Sequence, residues 1–193
     1  LLTGAEQPLA VAARTTTGKA AEALAVARDY VARRADLDKL GYPQPWRPVS
    51  PTARSGNGYA AQGEALARSA LKAVQHHGRS VPQDGLPEMI EAVFGADVAV
   101  EPLGDGFDGL AAMGQGAKLI VLSTTSNPAR QRFTLAHELG HLLADDDQDI
   151  HLDRDIFDQA QKKDPSEQRA NAFASAFLLP EQSLRDAVSA AKL

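Results

Sequence analysis

The chain contains no cysteine. That excludes a disulfide framework and thiol chemistry, and it fits a cytoplasmic protein. Long apolar runs are missing too. No stretch approaches 18 consecutive apolar residues, so no segment reads as a membrane-spanning helix, and the visible N-terminus shows no signal-peptide pattern. A basic excess is likewise absent: the net charge is −5 and the pI about 5.5. Binding to nucleic-acid phosphates relies on basic faces, and Arg28, Arg33, Arg34, Arg47 and Arg54 are too scattered to form one. There is no internal repeat. With 193 residues the chain can bury a real core in one or two domains.

What is present is concentrated in residues 137–141, His-Glu-Leu-Gly-His. On an α-helix, His137 and His141 fall on one face a turn apart, at the separation two metal ligands need. Glu138 is rotated by about 100° from His137, so it flanks the metal instead of entering its coordination shell. From there it can accept a proton from water at the metal. Residues 127–146 read as one helix, with Asn127 as N-cap and Pro128 in the first turn. Phe133, Leu135, Ala136, Leu139, Leu142 and Leu143 make it apolar on more than one side, so it is buried. A buried helix holds two His and a Glu at a cost unless they are paired or bound.

A catalytic zinc takes three protein ligands and keeps an open position. The extended pattern H-E-x-x-H-x-x-G-x-x-H is not met, because Ala144 and Asp147 occupy the required positions. A Glu on a later helix is another route. Residues 164–180 offer that helix: Pro165 and Ser166 open it and Pro180 closes it. Ala170, Phe173, Ala174, Phe177 and Leu178 form its apolar stripe. Glu167 lies at the edge of the stripe, and Asn171, one turn on, is placed to support a ligand. The acidic run Asp145, Asp146, Asp147, Asp149 and Asp153 is a rival source of oxygen ligands, although a solvated loop fits it better. His151 is a candidate donor to a developing oxyanion. His76 and His77 read as a helix C-terminus.

The two segments RFTLAHELGH (132–141) and EQRANAFASAFLLP (167–180) together resemble the ImmA/IrrE zinc metallopeptidases. The resemblance implies that His137, His141 and Glu167 bind zinc and that Glu138 is the catalytic acid/base. It also implies a protein substrate, a helix-turn-helix transcriptional repressor cut to relieve repression. Two positions depart from the family's pattern. Arg169 stands where a second Glu is frequent, and Asp145-Asp146-Asp147 where a His often follows. Manganese suits the same two imidazoles and carboxylate. Two other readings stay open: a metal-binding sensor or regulatory module with little proteolysis, and an interaction partner with a structural metal.

The expected fold is α+β, a small antiparallel sheet packed on helices. Residues 15–39, 59–77 and 87–94 read as helices, and residues 97–101, 109–113 and 118–123 as strands. Residues 180–193 read as a last helix. Either of the latter two strands is the expected edge strand beside the metal. Residues 1–58 form a helical segment with a Pro-rich linker in which Trp46 is pinned to a neighbouring surface. Residues 59–193 form the metallopeptidase domain. Residues 1–4 (LLTG) are similar to the end of a phage-repressor helix-turn-helix domain, so DNA binding is expected only through a domain upstream of this chain; a trimmed end is the other reading.

Overall fold

The computed structural model describes residues 18–49, 58–104, 106–114, 116–145, 150–154 and 164–191. The readings placed on residues 1–4 and on Asp146, Asp147 and Asp149 lie outside these residues. In chain order the elements are α1 (Gly18–Lys39), α2 (Tyr59–His76), α3 (Leu86–Phe94), β1 (Asp97–Glu101), β2 (Phe107–Gly114) and β3 (Ala117–Ser123). They continue with α4 (Pro128–Ala144), β4 (Ile150–Arg154), α5 (Pro165–Leu178) and α6 (Glu181–Ala190). The fold is α+β, as expected.

The strands form one four-stranded sheet in the order β1-β3-β2-β4. β2 and β3 are an antiparallel hairpin, with Gly114 opposite Ala117 across a two-residue connection. β4 runs antiparallel to β2. β1 runs parallel to β3, with Asp97 opposite Leu119 and Glu101 opposite Ser123. The sheet is therefore mixed, not wholly antiparallel. β3 returns from the hairpin between β1 and β2, so it must point the same way as β1. The edge-strand expectation is corrected for the same reason: residues 109–113 and 118–123 are the two central strands, and the edges are β1 and β4. β4 itself occupies part of the stretch read as a solvated acidic loop.

Both faces of the central hairpin are buried, and the alternation of side chains sorts them. Leu110, Ala112, Leu119 and Val121 face α1, where they meet Ala23, Leu24, Ala27 and Val31. Ala111, Met113, Ile120 and Leu122 face the larger core built from α2, α3, α4 and α5. Phe107 sits on the α1 side although it is three residues from Leu110. A register shift between Phe107 and Gly109 against β4 accounts for this. A bulge absorbs one residue, Asp108, and turns it out of the alternation.

The segment between α1 and α2 is extended and tied down. The Gln44 side chain donates to the Lys118 carbonyl at 2.7 Å and accepts from the Lys118 amide at 2.8 Å, as a neighbouring strand would. Trp46 packs against the larger core, with the Lys118 ammonium 5.6 Å from its ring centre, so the tryptophan is pinned.

α5 lies between α2 and α4, and two glycines set how closely. A Cβ at Gly63 on α2 would sit 2.9 Å from Ala172 Cβ and would also strike the Arg169 carbonyl. A Cβ at Gly140 on α4 would sit 3.0 Å from Phe173 Cδ1. Phe173 and Phe177 stack below this contact, ring centres 5.3 Å apart. Each contributes about 1.5–3 kcal/mol through burial. The close approach brings the first turns of α5 against the second half of α4.

Candidate metal centre

α4 begins where its sequence says it should. The Asn127 side chain accepts from the Arg130 amide at 3.1 Å, and Pro128 follows it. Every residue from Thr134 to Leu143 is buried, so the histidines stand in the interior by the packing of their own helix. α5 starts in the same way: Asp164 accepts from the Ser166 amide at 2.8 Å, ahead of Pro165 in the first turn. Glu167 is in that first turn and is only 3% exposed.

The two helices bring three ligand-type atoms together. His137 Nε2 and His141 Nε2 are 3.0 Å apart. Glu167 reaches both, with Oε2 at 3.3 Å from His137 Nε2 and Oε1 at 3.5 Å from His141 Nε2. Both histidines are completely buried. These are the residues that could hold a metal ion, and they are the one such cluster among the described residues. A tetrahedral zinc with bonds of about 2.0–2.2 Å sets its ligand atoms roughly 3.3–3.5 Å apart; both Glu167 distances match this, and the two imidazole nitrogens stand somewhat closer, at 3.0 Å. The donor set of two imidazoles and a carboxylate is also the one a hydrolytic zinc takes.

Asn171, one turn after Glu167, lies on the far side of His137. Its Oδ1 is 3.1 Å from His137 Nδ1. An amide oxygen can only accept, so His137 carries its proton on Nδ1 and presents the Nε2 lone pair to the cluster. The spacing along the helix predicts this support, and the structure shows it.

Glu138 is completely buried and does not join the cluster. It lies against the sheet at Gly109, where an added Cβ would be 3.4 Å from Glu138 Oε1 and 2.7 Å from Thr134 Cγ2. Gly109 therefore leaves the room that the Thr134 methyl occupies, one turn before Glu138 on the same helix. Its role is not evident from local sequence, although a lone glycine in a strand is a known sign of close approach. Just before it, the bulged Asp108 pairs with Arg130 at 2.5 Å. That pair fixes the first turn of α4 to β2.

The other candidates fall elsewhere. Asp145 caps α4 in the left-handed conformation and pairs with Lys118 at 3.2 Å. Arg169 faces α2, where its guanidinium is 3.5 Å from Gln62 Oε1. His77 closes α2, with Nδ1 2.9 Å from the Ala73 carbonyl. The backbone of His151 lies opposite Ala111 in β4.

The sequence profile described as the IrrE N-terminal-like domain matches residues 92–192, just over half of the chain. The chain belongs to the ImmA/IrrE family of metallopeptidase domains. It is also similar to the radiation response metalloprotease IrrE of Deinococcus radiodurans, 36% identical over 108 residues. That match covers 53% of this chain and 30% of the relative. The ImmA/IrrE profile takes in β1 to α6 and so contains both helices of the His137, His141 and Glu167 cluster.

Proposed function

We propose that this chain is a zinc-dependent endopeptidase domain in which His137, His141 and Glu167 hold the metal and Glu138 is the catalytic acid/base. One observation carries the reading. Two imidazole nitrogens and a carboxylate converge within a buried site, with a second buried carboxylate beside them. Manganese is the other ion this donor set accommodates.

The ion, when bound, supplies Lewis-acid polarisation of the scissile carbonyl and a water that is easier to deprotonate. The chain's own residues do the rest. Glu138 removes a proton from the attacking water and later delivers it to the leaving amine as the C–N bond breaks. Burial keeps this carboxylate out of competition with bulk water and strengthens its interactions. Asn171 holds His137 in the tautomer and orientation that keep Nε2 toward the metal. The Asp108–Arg130 pair and Gly109 keep the sheet and α4 in register, so that Glu138 stays beside the reacting atoms.

We read the catalytic unit as residues 59–193, with α1 as the cover over the far face of its sheet. The resemblance of 132–141 and 167–180 to the ImmA/IrrE pattern supports a helix-turn-helix repressor as the substrate. The cytoplasm is the compartment this reading requires, because a DNA-bound repressor is met there. The test is a comparison of new protein N-termini in cells expressing the wild type and Glu138→Gln. A cut seen only with Glu138 intact supports the reading and names the substrate. Identical N-termini in the two strains, under stress and at rest, contradict it.

A further inference from the structure

β1 is an edge strand, and its outer edge is open at one residue. The Glu101 carbonyl accepts from the Thr124 amide, with Glu101 opposite Ser123 in the parallel pair. Such a residue turns both its N–H and its C=O to the neighbouring strand, and the next residue turns both away. Asp97, Ala99 and Glu101 therefore face β3, while Val98 and Val100 face outward. At Val98 the edge is closed, because the Glu91 side chain on α3 accepts from the amide at 3.2 Å. Two residues past Val100, Pro102 has no N–H to offer. Val100 lies between these two blocks, and none of the described residues pairs with its outward N–H or C=O. Val100 is 49% exposed and stands in the wall of a cavity of about 530 Å³ between the first turns of α3 and α4 and the ends of β1 and β3. The whole of that wall lies within the described residues. Leu86, Leu122 and Leu135 of the core are part of it, and its charged side chains are Asp84 and Arg132, one of each sign. The volume is within the range of ligand sites, about 300 to 1,000 Å³.

We infer that the open edge at Val100 and this cavity together bind an extended peptide segment of a protein partner, which pairs its backbone with Val100 and seats one uncharged, apolar side chain in the cavity. When a strand adds to a sheet edge, main-chain bonds supply affinity and a pocket beside the strand supplies specificity. An extended chain can offer both partners that Val100 lacks, whereas a helix has spent its own N–H and C=O groups internally. The cavity is on the correct side of the sheet. Val98, two residues earlier and so on the same face as Val100, packs against the larger core. A peptide residue beside Val100 on that face projects over the cavity. A charged side chain would lose hydration there and would meet Asp84 and Arg132, of opposite sign, in one wall. Pro128, Gln131 and Leu135 line the cavity, about half a turn round α4 from His137 and His141. A segment held here is therefore not the one at the metal, and the inference stands apart from the peptidase reading.

The experiment is fluorescence anisotropy of labelled peptides Gly-Thr-X-Thr-Gly, with X as Leu, Phe, Ala, Asp or Lys, titrated with the full chain. Glu138→Gln is the background throughout, so that cleavage does not interfere. The Leu and Phe peptides are expected to bind about tenfold more tightly than the Ala peptide, and the Asp and Lys peptides no more tightly than Ala. Val100→Pro removes the outward N–H without breaking a bond of the sheet, a change that edge strands tolerate. It is expected to weaken binding of the Leu peptide by about fivefold, while Val100→Thr, which keeps the N–H and the shape, retains it. Ala129→Trp, at an exposed position in the cavity wall, fills the cavity and is expected to abolish the preference for Leu over Ala. The inference is overturned if none of the peptides binds, if Leu and Ala bind equally, or if Val100→Pro binds the Leu peptide as tightly as its parent. Should Val100→Pro not fold, Ala129→Trp decides: a lost preference for Leu supports the site, and an unchanged one overturns it.

Discussion

Asn171 Oδ1 receives the Nδ1 proton of His137 at 3.1 Å, across the contact between α5 and α4. One helix therefore supplies a ligand-type carboxylate, Glu167, and one turn later the group that orients a ligand on the other helix. Asn171→Ala is expected to weaken metal binding by about 10–100-fold, in line with the loss of other groups that orient ligands. Asn171→Asp, which keeps an acceptor oxygen, is expected to retain most of the affinity. Competition against a chelator of known affinity measures both. Equal affinity in wild type and Asn171→Ala would show that the contact has no part in holding the ion.

The approach of α4 to α5 depends on Gly140. In Gly140→Ala the new methyl meets Phe173 Cδ1 at 3.0 Å, Phe173 Cγ at 3.2 Å and the backbone of Ala170 at 3.4 Å. Forcing a methyl into such a core costs about 1–3 kcal/mol. In a chain of this size each kcal/mol lowers the melting temperature by about 2–4 °C. Thermal melting with and without metal should show a drop in both states. The drop should be larger with metal, because the helices carrying Glu167 and the histidines are pushed apart. An unchanged melting temperature would mean that α5 shifts without cost.

Gly109→Ala separates catalysis from metal binding. The added Cβ strikes Thr134 Cγ2, one turn before Glu138, and so displaces the part of α4 that carries the carboxylate, but it is not placed against the His137, His141 and Glu167 cluster. Metal stoichiometry should stay at the wild-type value while the cleavage rate falls by about tenfold or more. Loss of metal together with activity would place Gly109 in general packing instead.

Much of this site can be read from residue spacing. The four-residue interval between His137 and His141 and the flanking position of Glu138 follow from helix geometry alone. Glu167 and Asn171 follow from the stripe and the Pro boundaries of α5. What spacing does not carry is how separate elements approach one another. Gly109 and Gly140 matter through contacts with residues that lie 25 or more positions away in the chain. The parallel β1–β3 pair depends on strand order, which no local pattern encodes. In β4, Ile150 and Leu152 do alternate with polar residues, but the run is short and follows a string of aspartates, so its charge outweighed its period.

α1 is tied to the sheet by a hydrogen bond as well as by its apolar stripe: the Tyr30 hydroxyl donates to Glu101 Oε1 at 2.6 Å. Donation to that carboxylate, then burial, holds the tyrosine pKa above its usual value. The contribution to stability is therefore fully present below the unfolded value of about 10 and is lost as pH rises through the higher folded value. Tyr30→Phe should cost roughly 1 kcal/mol near neutral pH. The gap to wild type should stay constant up to about pH 9.5 and close above it. Denaturant melts at a series of pH values measure the gap. A gap that widens with rising pH would contradict the assigned direction.

We propose His137, His141 and Glu167 as one metal site. The measurement that tests it most directly is anomalous diffraction at the zinc absorption edge from crystals of the zinc-loaded chain. One strong peak is expected at about 2.0–2.2 Å from His137 Nε2, His141 Nε2 and a Glu167 oxygen, with Glu138 beside it and not bonded to it. No peak at that point, or a peak on the aspartates after α4 in its place, would show that these three residues do not hold the ion.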